Sequence, residues 1–159
     1  MELVVLGTSA DKPVLKEGKE RRLRSALALG ERGKWVLIDC GPDIREELSR
    51  EKIAPDYLFI THLHPDHIEG LPWVAEKFSP LIFAPSEVLQ GLARKKISKS
   101  LSLSLCPTEP GKWFVLEGFK EQFLFAEVFH SAKVKTFAIV LRRGEKILLF
   151  YAPDLKALG

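Results

Sequence analysis

The stretch Phe59 to Leu71, "FITHLHPDHIEGL", holds three of the chain's four histidines, His62, His64 and His67, with Asp66 between the last two. An extended chain places alternate residues on one side, so His62 and His64 project together. Pro65 favours that extension by biasing His64 away from helical geometry. Asp66 and His67 fall where the chain turns toward a helix, and they approach from a second direction. Imidazole nitrogen suits zinc and related first-row metals, and a carboxylate adds a ligand or orients water. The pattern describes two neighbouring metal sites, which a short motif leaves incomplete because each metal takes three or four ligands. Two distant residues can close them. His130, the remaining histidine, ends the apolar run "EQFLFAEVFH", and Asp154 follows "KILLFYAP". Loops at strand ends are where open α/β folds gather their ligands.

Outward from the cluster, strands and helices alternate, which predicts an α/β layered fold. "ELVVLG" opens as a strand and is followed by a polar loop from Thr8 to Arg24. "SALALGERGKWVLIDCGPD" forms a hairpin around Glu31-Arg32-Gly33. Pro42 suits the first turn of a helix through "DIREELSREK", with Ile44 and Leu48 on its buried face. "DYLFI" is a short buried strand leading into the histidines. "EGLPWVAEKF" is a helix, "PLIFAP" a strand and "PSEVLQGLARKKI" a helix with a basic C-terminal end that suits its dipole. Ser98 to Gly111 is loop-like. Strands then run through "KWFVLEGF", "EQFLFAEVFH", "KTFAIVLRRG" and "EKILLFYAPD", the last two joined by a hairpin at Arg143-Gly144-Glu145. No repeat or linker divides the chain, so residues 1–159 are expected to form one domain.

With 159 residues, 46% of them hydrophobic and 28% charged, the chain can bury a core. No apolar run approaches the roughly 20 residues of a membrane span, and the N-terminus lacks signal-peptide character, so the default location is cytoplasmic. Cys40 and Cys106 are expected to be free thiols in such a compartment. Cys40, beside Asp39, is a small half-buried side chain rather than a nucleophile. A net charge of +3 suits an anionic substrate but falls short of the imbalance of a dedicated nucleic-acid binder. "KERRLR" (Lys19 to Arg24) and "RKKISK" (Arg94 to Lys99) are candidate phosphate contacts, with solvated surface the commoner role for such runs. Ser131 and Lys133 lie closer in sequence to His130. Trp35, Trp73 and Trp113 are packing residues.

The motif "HLHPDH" resembles the H-x-H-x-D-H signature of the metallo-β-lactamase fold superfamily, and "LGTS", "LIDCGPD", "FHS" and "YAPD" extend the likeness over most of the chain. "FHSAKVKTFAIVL" is similar to the phosphodiesterase branch, which includes cyclic ribose phosphate phosphodiesterases and is related to tRNA 3′-processing endonucleases. The resemblance implies a four-layer α/β/β/α sandwich with the site at one edge. It also implies two divalent metal ions, zinc with manganese or iron as alternatives. His62, His64 and His130 would hold the first, Asp66 and His67 the second, and Asp154 would bridge both. Asp39 would orient a histidine ligand. The implied activity is hydrolysis of a small nucleotide-like or cyclic phosphodiester by metal-activated water, with Asp66 as the catalytic carboxylate. An RNA-processing endonuclease of the same fold and a non-catalytic metal-binding domain are the alternatives. RNA is the less favoured substrate, because no RNA-gripping insertion is evident. The family's second metal takes a further histidine after the bridging aspartate. The chain ends at Gly159, so a C-terminally incomplete domain is expected. Sheet edges left exposed by that ending would suit a homodimer.

Overall fold

The first hairpin turns on Arg32 and Gly33, both with positive φ (51° and 78°), the pairing that matches the twist of the flanking strands. It joins β2 (Ala26–Glu31) to β3 (Lys34–Ile38), and β1 (Glu2–Gly7) pairs antiparallel on the other side of β2. The computed structural model describes residues 1–8, 23–95, 101–129 and 134–154. Most of the expected Thr8–Arg24 loop therefore lies outside the described residues.

From β3 onward the sheet becomes parallel. β4 (Tyr57–Phe59), β5 (Leu81–Pro85) and β6 (Ser104–Thr108) add in turn, giving the order β1-β2-β3-β4-β5-β6. Helices α1 (Ile44–Glu51), α2 (Pro65–Ile68), α3 (Leu71–Phe78) and α4 (Ser86–Arg94) fill the connections. Parallel strands need such crossovers. α1 buries Ile44 and Leu48, as the four-residue spacing predicts. Asp43 rather than Pro42 immediately precedes its first turn, so the proline lies just outside the helix. α1 and α3 both end on left-handed residues, Lys52 and Ser79.

Two expectations are corrected. Ser98–Gly111 is not all loop, because Ser104–Thr108 pairs residue by residue with Leu81–Pro85 as β6. Its Ser104 and Pro107 carry no strand signal. The position at the sheet edge tolerates a proline, and the pairing comes from β5. The strand expected across "KWFVLEGF" shrinks to β7 (Phe114–Val115), because left-handed Gly111 (φ 79°) and Gly118 (φ 88°) turn the chain on either side.

β8 (Gln122–Val128), β9 (Thr136–Arg143) and β10 (Lys146–Tyr151) complete a second, antiparallel sheet of order β10-β9-β8-β7. The core lies between the sheets. Phe59 of β4 meets Phe123 edge-on at 5.3 Å, Phe125 at 5.4 Å and Phe114 at 5.8 Å, all from the second sheet. Tyr57 and Phe83 share that face, and Tyr57 reaches Phe119. Leu58 and Ile82, alternate in the strands, are buried on the opposite face. Two packed sheets with helices in the crossovers form the α/β architecture expected. Among the described residues no helix follows β6, so an outer helical layer on the second sheet is not among them.

Candidate metal centre

The site forms where β3 and β4 end side by side. Asp39 follows β3 in a left-handed conformation (φ 62°), a strained geometry for a residue with a side chain. Its backbone N–H donates to Phe59 O at 2.9 Å, which ties it to the end of β4. The chain then continues through Ile60 and Thr61 to the histidines. Both Asp39 and Thr61 are fully buried. Thr61 donates its backbone N–H to Asp39 Oδ1 (2.9 Å) and its hydroxyl to Asp39 Oδ2 (2.7 Å).

Those bonds set the histidine tautomers. A carboxylate only accepts, so the single hydroxyl proton of Thr61 goes to Asp39, and His62 Nδ1, 3.0 Å from Thr61 Oγ1, must carry its own proton to donate. His67 Nδ1 likewise donates to Asp39 Oδ2 at 2.8 Å. Both rings thereby keep Nδ1 as the donor to the Thr61–Asp39 pair, which leaves Nε2 as the atom that meets Asp154 or, once its proton is displaced, a metal ion.

The Nε2 atoms of both rings face Asp154, which follows β10, and His62 Nε2 also lies 3.0 Å from His64 Nδ1. Asp154 Oδ2 lies 3.2 Å from His62 Nε2, 3.3 Å from His67 Nε2 and 3.9 Å from His64 Nδ1. Asp66 Oδ2 is 3.4 Å from His67 Nε2. His64 is extended (φ −70°, ψ 146°), whereas Asp66 and His67 lie within α2. Three sets, Asp39-His62-His67, His62-His64-Asp154 and Asp66-His67-Asp154, each bring their ligand atoms within 4.8 Å of one another and could hold a metal ion. His130, Ser131 and Lys133 lie outside the described residues. The strands that flank them are described: Val128 pairs with Thr136, and Phe137 N–H donates to Thr61 O at 3.1 Å.

The electrostatics favour positive charge here. Burial disfavours a charged His67 ring, but the Asp39 charge and hydrogen bonds to Asp154 and Asp39 outweigh it and raise its pKa to about 10. Hydrogen bonds to His62 and His67 hold Asp154 far below the usual carboxylate range. A field that holds a proton on a buried imidazole also favours a divalent cation, and the nitrogen and oxygen donors are those such ions take. The residues present therefore fit a metal.

Several supporting residues carry no pattern that marks them from sequence. Gly41 and Gly70 let the β3–α1 loop and the end of α2 touch. A Cβ on Gly41 would lie 2.2 Å from Asp66 O, and one on Gly70 would lie 2.4 Å from Gly41 O. Across that contact Cys40 N–H donates to His67 O (2.7 Å) and Gly70 N–H to Cys40 O (2.8 Å), clamping the metal loop. Glycine within "DCG" and "IEGL" was the available signal. Tyr151 ends β10 with a buried hydroxyl that has no hydrogen-bond partner among the described residues. Burial, then the charges of Asp39, Asp154 and Glu47, push its pKa up.

Other candidates are placed elsewhere. Cys40 is fully buried, and burial, followed by the Asp39 charge, raises its pKa well above that of an ordinary thiol, so it is packing rather than nucleophile. Arg24 pairs with Asp43 at 2.9 Å in a structural contact, while Lys19–Arg22 and 96–99 fall outside the described residues. Trp113 lies under Arg142 at 4.0 Å, and Trp73 packs edge-on against Phe78 at 5.5 Å.

A family described as "Beta-lactamase superfamily domain" matches residues 34–159, most of the chain. The chain belongs to that family. Its fold is shared with Zn(2+)-bound PqqB from Methylobacterium extorquens (TM-score 0.73, 17% identity), over 92% of this beta-lactamase superfamily chain and 63% of that one. A diphosphatase from the PhnP family matches with TM-score 0.71 and 25% identity, over 87% of this chain and 61% of the other. In sequence, Ribonuclease Z of Geobacillus kaustophilus is 44% identical over 77 residues, which is 45% of this chain and 24% of that protein. The chain thus spans about a quarter of this curated relative and about three fifths of these solved structures. No helix among the described residues is long and apolar enough to cross a membrane.

Proposed function

We propose that this chain carries the metal site of a binuclear-metal-dependent hydrolase acting on a small nucleotide-like or cyclic phosphodiester. The observation that supports this most directly is the convergence of His62 Nε2, His67 Nε2 and His64 Nδ1 on one oxygen of Asp154, at 3.2, 3.3 and 3.9 Å. His62, His64 and His130 would hold one divalent ion, Asp66 and His67 a second, and Asp154 would serve both. Zinc suits the donors best, with manganese or iron as alternatives. Bound divalent ions of this kind lower the pKa of water and neutralise charge on phosphoryl oxygens.

The chain's own residues have separate tasks. Asp39 and Thr61 hold Nδ1 of His67 and of His62 as donors, which turns the two Nε2 atoms toward the ligand position. Asp66, half-exposed beside His67, is the carboxylate placed to orient the attacking water and accept its proton. His64, 31% exposed, lines the open side through which substrate enters. The PhnP-family diphosphatase supports phosphoester chemistry. The Ribonuclease Z match supports a second reading as an RNA-processing endonuclease. A metal-binding domain without catalysis is the third.

Residues 1–159 act as one domain, and the two free cysteines suit a reducing, cytoplasmic location. A homodimer would cover the sheet edges, where Leu3 and Val5 of β1 and Ile147 and Phe150 of β10 are exposed. The test is metal content per chain by elemental analysis, paired with hydrolysis of bis-p-nitrophenyl phosphate. Two metals with turnover support the phosphodiesterase. Bound metal with turnover of RNA alone selects the endonuclease, and bound metal with neither selects the non-catalytic domain.

A further inference from the structure

Phe129 is 65% exposed and stands one residue past the end of β8, directly before His130 in the sequence. Among the described residues, the other exposed large apolar side chains lie within β1, β5, β6, β7 and β10, apart from the N-terminal Met1. The end of β8 belongs to the edge that carries the metal cluster. Glu127 pairs with Phe137 and Val128 with Thr136, and Phe137 N–H donates to Thr61 O at 3.1 Å. β8 therefore leaves its sheet where the chain following β4 leaves the other, one residue before His62. The inner row of β8 runs toward the same place. Phe123 and Phe125 face Phe59 of β4 at 5.3 and 5.4 Å, and Glu127, next in that row, reaches past the core to Lys135 at 3.8 Å. Two more residues advance an extended chain by about 7 Å, which brings Phe129 level with the segment from His62 to His64.

We infer that the exposed ring of Phe129 is the surface on which the nucleobase of the substrate stacks while its phosphodiester sits at the histidine and aspartate cluster, an inference that rests on the phosphodiesterase reading. Position supports it. The sugar holds base and phosphate apart, so a group that takes the base belongs beside the cluster rather than in it, and the first residues beyond β8 are so placed. The chemistry is matched as well: a phenyl ring offers its face to the face of any base, without hydrogen bonds that would select among them. The ring turns about two side-chain bonds only, so holding it against a base costs little conformational freedom.

The test measures binding to the metal-loaded chain by calorimetry, with adenosine 5′-monophosphate and methyl phosphate as probes that share the phosphate and differ in the base. The wild type should prefer the nucleotide by about five- to 100-fold. F129A should bring that ratio toward one and leave methyl phosphate binding unchanged, and F129W should keep it. The side chain is exposed, so its removal spares the core, and rescue by tryptophan is an effect that a structural role would not give. A wild-type ratio near one, equal weakening of both probes in F129A, or no binding of either overturns the inference. Turnover of thymidine 5′-(p-nitrophenyl phosphate) and methyl p-nitrophenyl phosphate is followed separately. If neither ester is cleaved although metal is bound, the phosphodiesterase reading fails, and the stacking assignment stands or falls on the binding ratio alone.

Discussion

Thr61 grips Asp39 with two hydrogen bonds, its hydroxyl on Oδ2 at 2.7 Å and its backbone N–H on Oδ1 at 2.9 Å. Asp39 also accepts from His67 Nδ1, and Thr61 accepts from His62 Nδ1, so one buried pair orients both rings. Replacing Asp39 by Asn, or Thr61 by Val, keeps the shape but lets the imidazoles choose the wrong tautomer. Each change should weaken divalent metal affinity by about 10- to 100-fold, read by competition with a chromophoric chelator. Affinity equal to wild type in both variants would remove this pair from the site's design.

Glu47 supplies a pH dependence independent of the metal centre. It is 1% exposed on α1, its Oε1 has no hydrogen-bond partner among the described residues, and burial, reinforced by Asp43, raises its pKa to about 8. An unfolded glutamate titrates near about 4.3, so below that pH the folded state gains nothing and loses nothing from ionisation. Between that value and about 8 the unfolded chain has released the proton and the folded chain has kept it, so stability falls as pH rises, by up to about 1.4 kcal/mol per pH unit. Glu47→Gln removes this slope. Urea unfolding from pH 5 to pH 8 should show the variant gaining on the wild type at each step, and a constant difference would show that Glu47 does not titrate in this range.

Gly70 permits a backbone approach that no other residue allows. A Cβ there would lie 2.4 Å from both Gly41 O and Ile44 Cγ2, with Cys40 O at 2.9 Å. Gly70→Ala should cost about 2 to 3 kcal/mol in urea unfolding, since the overlap is with backbone that cannot rotate away. It should also lower metal affinity, because Cys40 N–H is bound to His67 O across the same contact. A variant of wild-type stability would mean that the loops separate freely.

Phe59 is the residue through which the core meets the site. It contacts four aromatic rings, Phe83, Phe114, Phe123 and Phe125, and its carbonyl holds Asp39 N–H. Phe59→Ala should destabilise the fold by about 3 to 5 kcal/mol, and Phe59→Leu by less, in thermal or urea unfolding. A loss below about 1 kcal/mol for the alanine variant would place the sheet contact elsewhere.

Local sequence by itself determined the β2–β3 hairpin, the α1 face carrying Ile44 and Leu48, the strand leading into the histidines and the grouping of His62, His64, Asp66 and His67. Each is written in spacing or turn chemistry within a few residues. Only the tertiary structure decided the rest. Ser104–Thr108 is a strand because β5 offers it a ladder, although its serine and proline suggest a loop. Asp154 meets three imidazoles only once the end of β10 comes to rest beside the ends of β3 and β4. Thr61, Gly41 and Gly70 show no function in isolation: a hydroxyl acquires its role from the carboxylate that accepts its proton, and a glycine from the carbonyl that would meet its Cβ. Those partners lie 22, 25 and 29 residues away in the chain, beyond the reach of any periodicity, and the parallel pairing of β3 with β4 brings them together.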